Sequence, residues 1–173
     1  MFRVTYSLLL FASFVVSGGG PLWAQDDPLG ATATCNFDDE KQLVVQYQRV
    51  PINPKKALAT QVPFGKVWAP GGKAMTIFTN TPVQIGGVML PVGAFTMFVI
   101  PTGRQWTLIV SKSTDTSGNY DEQQDLVRVP LESGELPSAE PAFMLSFAHI
   151  APPQCNIRID VDKTGHFTDF LRK

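Results

Sequence analysis

Apolar and polar residues along this chain alternate with a period of two. Leu43, Val45 and Tyr47 alternate with Val44, Gln46 and Gln48, and Met75, Ile77 and Thr79 alternate with Thr76, Phe78 and Asn80. That period places one set of side chains on one face of an extended strand. The cleanest case sets Cys155, Ile157, Ile159 and Val161 against Asn156, Arg158, Asp160 and Asp162, with the cysteine on the apolar face. Residues 93–100 and 106–110 are apolar on nearly both sides, as in central strands covered on each face. Residues 33–37, 126–129, 143–148 and 166–170 add further strand-like runs. Between them stand turn signals, among them Asp38-Asp39, Gly71-Gly72, Gly86-Gly87, Ser117-Gly118-Asn119 and Lys163-Thr164-Gly165. Residues 134–141, acidic and proline-bearing, read as a longer surface connection. The one stretch with helical character is 53–59, where Asn53 could cap and Pro54 sit first. The pattern predicts an all-β chain, a single β-sandwich of immunoglobulin-like or jelly-roll-like type with nine or ten short strands. It does not encode their order.

The first 24 residues have the form of a cleaved secretory signal. Arg3 supplies the positive start, residues 8–16 the apolar centre, and Leu22-Trp23-Ala24 the cleavage region. The apolar centre is shorter than the roughly 20 residues that span hydrocarbon, and no later run approaches that length. Residues 25–30 read as a flexible N-terminus and 31–173 as one β-sandwich domain. Export is therefore expected, to periplasm or medium, with no membrane span after cleavage. Removal of the signal leaves 149 residues (173 − 24) and a net charge of about −2, from 13 basic and 15 acidic residues. No basic block survives, which argues against a nucleic-acid partner, whose phosphates need a cationic footprint. Cys35 and Cys155 both fall on strand-like runs near opposite ends of the exported part. In an oxidising compartment a lone pair has one possible connectivity. A disulfide between the first strand and the penultimate one is the expectation, and two buried thiols the alternative.

Catalytic chemistry is sparse. His149 extends the apolar face of Phe143, Leu145 and Phe147 and reads as a core-edge residue. His166 follows a turn and reads as a surface residue. No nucleophile elbow, zinc-protease motif or paired-cysteine motif occurs, so no metal, cofactor or catalytic set is expected. Asp115, Asp121, Glu122 and Asp125 cluster with Asn119 around Tyr120. They could serve a hydrolase or a calcium ion, but read more simply as a solvated connection. Trp68 and Trp106 lie near turns. With Arg49, Lys66, Lys73 and Tyr120 they form the candidate ligand-binding set, since rings stack and cations steer. The alternative for both tryptophans is that they seal the ends of the core.

The ordered set Val62-Pro63-Phe64-Gly65-Lys66-Val67-Trp68, Leu90-Pro91-Val92-Gly93, Phe98-Val99-Ile100-Pro101 with Trp106-Thr107, Tyr120-Asp121-Glu122 and Leu126-Val127-Arg128-Val129 resembles a known family. It is similar to the exported bacterial proteins grouped as domain of unknown function 2911, from roughly residue 43 to 159. The resemblance implies a secreted, β-rich domain and carries over no activity, substrate or catalytic residue. After the Gly-Lys-Val-Trp element the family continues with an Arg and then an Asn-Glu pair, where this chain has Ala69, Gly72 and Lys73. Residues 55–61 also differ from the family's Gly- and Phe-containing stretch. The leading expectation is a non-enzymatic exported protein binding a glycan, small ligand or protein partner at the cell envelope. The rivals are a hydrolase using the carboxylates between Asp115 and Asp125, and a structural envelope component without a ligand.

Overall fold

A computed structural model describes residues 28–173, so the expected signal segment and residues 25–27 lie outside the described part. Ten strands form two antiparallel sheets. The six-stranded sheet runs, in spatial order, β1 (Gly30–Asn36), β2 (Gln42–Gln48), β3 (Met75–Thr79), β6 (Gly93–Ile100), β7 (Thr107–Ser111) and β8 (Asp125–Pro130). The four-stranded sheet runs β5 (Val88–Leu90), β4 (Val83–Ile85), β10 (Gln154–Arg172) and β9 (Glu132–Ala151). The chain is an all-β sandwich.

The alternation in the sequence becomes the two sides of each sheet. Leu43, Val45, Ile77, Met97, Val99, Leu108 and Val110 point from the large sheet into one shared core. Val83, Ile85, Phe143, Leu145, Ile157, Ile159 and Phe170 enter it from the small one. The strands apolar on both sides are covered on both. On the outer face, Phe98 and Ile109 are buried with Ala74 beneath Val67, Ala69 and Tyr120. Two crossings of the chain tie the layers. After β2, Ile52 N–H donates to Pro141 O at 2.7 Å and Phe143 N–H donates to Val50 O at 2.8 Å. Between β8 and β9, Leu131 N–H donates to Trp106 O at 2.8 Å.

Cys35 and Cys155 form a disulfide across the sheets, with Cα atoms 6.2 Å apart. Both cysteines are buried in the core. The expected pairing is present, but its partner strand is the last one, because β10 runs unbroken to Arg172.

Four expectations are corrected. Residues 134–141 are not a surface connection but the first half of β9, a 20-residue strand. Pro137 and Pro141 are tolerated there because β9 is an edge strand, where a missing N–H need not break a ladder. Lys163-Thr164-Gly165 does not reverse the chain. It lies inside the 19-residue β10, beside register shifts between Asp160 and Asp162 and between Asp162 and Thr164. The helical character of 53–59 reduces to a turn held by Asn53 Oδ1, which accepts from Lys55 N–H at 2.9 Å, and a 3-10 turn at Leu58–Thr60. Finally, Gly30, placed in the flexible N-terminus, pairs with Gln48, and Leu29 O accepts from Arg49 N–H at 2.7 Å.

Candidate functional site

The six candidate ligand residues do not form one surface. Arg49 and Lys66 are exposed. Lys73 lines an open groove of about 330 Å³ on the outer face of the large sheet. Thr32, Gln46 and Thr76 stand in that groove as one cross-strand row. Tyr120 packs edge-on to Phe98 on the same outer face, with centroids 5.2 Å apart. Only the two tryptophans meet, with centroids 6.3 Å apart, and they do so inside the sandwich. Trp68 N–H donates to Val99 O at 2.8 Å, which carries its ring edge-on to Phe143 at 5.4 Å. Trp106 is 2% exposed and belongs to the core.

The acidic cluster is committed to its neighbours. Asp115 accepts from Ser117 N–H and Ser117 Oγ, both at 2.8 Å, and these bonds hold its carboxyl below the usual range. Asp121 accepts from Gln123 N–H at 3.0 Å. Asp125 accepts from Tyr120 Oη and from Arg128 Nε, both at 2.7 Å, and Arg128 also donates to Glu122 at 2.9 Å. Burial first, then the Asp125 carboxylate, pushes the Tyr120 phenol up to about 12. A carboxylic acid that donates a proton needs its affinity for that proton raised, and Asp115 moves the other way. Among the described residues no group of three or more His, Cys, Asp or Glu side chains is placed to hold a metal ion.

The group that stands out lies outside the candidate set. His166, expected at the surface, is 5% exposed and stacks on Trp106, with centroids 4.2 Å apart and planes 16° from parallel. His149, expected at the core edge, is exposed near the end of β9. Facing strands explain the setting of His166. Its Cα partner on β9 is Ser133, and Ser133 Oγ lies 2.9 Å from His166 Nδ1. Nε2 makes no hydrogen bond among the described residues, nor is it a sealed, unpartnered atom. Solvent therefore reaches it. Removal from water, with no counter-charge to offset it, lowers the imidazole pKa to about 4, so the ring is neutral at neutral pH.

His166 and Trp106 line a cleft of about 180 Å³ at one end of the sandwich. Leu58, Phe64 and Val161 supply the rest of its apolar lining, and Thr102, Arg104, Ser133 and Thr164 the other polar side chains. Two local structures place the rim. Thr102 Oγ1 accepts from Gln105 N–H at 3.0 Å and donates to Gln105 O at 2.6 Å, folding the turn that carries Arg104. Gly65 N–H donates to Pro101 O at 2.7 Å and holds the Phe64 segment against that turn. Of the candidate set only Trp106 lines this cleft.

A family model described as a protein of unknown function (DUF2911) matches residues 30–167, from the first residue of β1 to one residue past His166. The chain belongs to the DUF2911 family. Every residue named above as lining the cleft lies within the matched span of this DUF2911 chain. Comparison with curated proteins and with solved structures finds no significant match.

Proposed function

We propose that this protein is an exported, non-enzymatic β-sandwich that binds a small ligand at the cell envelope, and that the His166 cleft is its binding site. One observation carries the reading. A histidine almost wholly buried and stacked on Trp106 is fixed through Nδ1, while Nε2 has no partner among the described residues and stands beside an open cleft. Buried polar atoms are ordinarily satisfied, and one left accessible beside a cleft walled by Trp106, Leu58, Phe64 and Val161 is the kind of convergent polar group that orients a ligand. Export is supported by the cross-sheet disulfide, which persists in oxidising compartments. Among the described residues no helix is long and apolar enough to cross a membrane.

Binding is favoured over hydrolysis for a physical reason. Ser133 and His166 are a nucleophile and a base in contact, but a ring held near pKa 4 is a weak base at neutral pH. Among the described residues no acid orients its second nitrogen, as serine hydrolysis requires. The carboxylates between Asp115 and Asp125 line none of the clefts described above. The test is a ligand screen by saturation-transfer NMR on protein with labelled histidine, using glycan, peptidoglycan and small-molecule fragments. Hits are expected to move the His166 imidazole resonances. Hits that leave His166 unmoved and persist in His166→Phe would place the site elsewhere.

A further inference from the structure

Resting on the cleft being the ligand site, we infer that its ligands are small carboxylic acids with an apolar body, the carboxylate held by Arg104 and His166. Among the described residues Arg104 is the only formally charged one lining the cleft, and no Asp or Glu lines it to neutralise that charge. Its guanidinium makes no hydrogen bond or ion pair among the described residues, although its backbone N–H is anchored to Thr102 Oγ1 at 3.3 Å. An unpaired guanidinium on a fixed turn is suited to a planar anion, because its N–H groups match the two oxygens of a carboxylate.

The histidine completes the recognition. When the Ser133 hydroxyl donates to Nδ1, the neutral ring carries its proton on Nε2 and donates into the cleft. Leu58, Phe64 and Val161 then face the ligand's apolar part, with Phe64 38% exposed and free to cover it. Size sets the class. At about 180 Å³ the cleft is smaller than the roughly 300–1,000 Å³ of sites that enclose drug-sized molecules, so it suits a compound of one small ring or a short chain.

Phenylacetate and its neutral isostere phenylacetamide, titrated into the full exported chain and followed by NMR, separate the possibilities. The acid is expected to shift the Trp106 indole and His166 resonances and to bind about tenfold more tightly than the amide. Arg104→Gln, a change at an exposed side chain, is expected to bring the two within about twofold. Equal affinity of acid and amide at the same resonances would overturn the acid preference and leave the cleft as the ligand site. An acid preference that survives Arg104→Gln would overturn the role of Arg104. Failure of both compounds to move any cleft resonance at millimolar concentration would overturn the inference and count against the site itself.

Discussion

Acidification should destabilise this fold through His166 in a definite pH window. In the unfolded chain an imidazole takes up a proton below about pH 6.5, whereas the native ring, pressed on Trp106, resists protonation until about pH 4. Between those values the unfolded state binds more protons, so stability is fully present above pH 6.5 and is lost as pH falls toward 4. Below about 4 both states are protonated and this contribution stops changing. The interval of about 2.5 pH units corresponds to at most about 3.4 kcal/mol at about 1.36 kcal/mol per unit. Because solvent reaches Nε2, about 2 kcal/mol is the expected size. His166→Phe keeps a ring against Trp106 and removes the titrating group. Urea unfolding of both proteins at pH steps from 4 to 7.5 gives a difference curve in which the exposed His149 and all carboxylates cancel. That curve should fall by about 2 kcal/mol on the acid side. A flat curve, or one in which wild type gains on acidification, would refute the buried, neutral imidazole.

Other outcomes follow from particular positions in the fold. Reducing the Cys35–Cys155 bond, or replacing both cysteines by Ala, removes a cross-link between residues 120 apart in sequence. The chain-entropy model puts the loss at up to about 4–5 kcal/mol, read as a fall in Tm on the order of 10 °C by calorimetry. Gly86→Ala should cost about 2–3 kcal/mol in urea unfolding, since Gly86 has φ +54° and a Cβ there would lie 2.6 Å from Val129 Cγ2. Gly87→Ala, at φ +82° with open space around it, should cost only about 1 kcal/mol. Asp125→Asn removes the charge that opposes ionisation of Tyr120, so the phenol pKa should fall from about 12 toward its usual 10. An NMR pH titration of labelled tyrosine reads this, and no change would show that burial alone sets it.

Much of the fold was legible because its signals are local. Gly86-Gly87 turns the chain with both residues at positive φ, and Ile85 then pairs with Val88, as expected of a two-residue hairpin. Asp38-Asp39 marks the β1–β2 reversal, where Asp39 and Glu40 take left-handed backbone angles. Alternation identified the inner faces of β2, β3 and the start of β10, and a single cysteine pair could close only one way. Sheet order was illegible because pairing depends on contacts far apart in sequence. β1 lies beside β2, yet β3 skips to β6 and β4 to β10. The hairpin of β9 and β10 was underestimated because Pro137, Pro141 and Gly165 are turn signals in most settings. Here they lie where an edge strand and an irregular register absorb them.

The burial of His166 was not legible in the sequence, and the cause is mechanical. From Cys155 to Val161 every second residue is buried, and continuing that rhythm would bury Phe167 and expose His166. Instead the register slips on either side of Asp162, which sits at φ 52°. Across the two shifts β10 advances four residues, from Asp160 to Thr164, while β9 advances nine, from Met144 to Glu135, and an odd-numbered slip changes which residues share a face. Beyond the irregularity His166 and Phe170 turn inward, in the opposite phase from Ile157 and Ile159. The same slip that ends the simple alternation thus sets an imidazole on Trp106 across from Ser133. Asp162 is what could have betrayed it, as a residue type that tolerates the left-handed region, placed where an otherwise regular strand should continue. A bulge at such a point re-aims the side chains that follow it, and here it converts a surface position into the polar centre of the cleft.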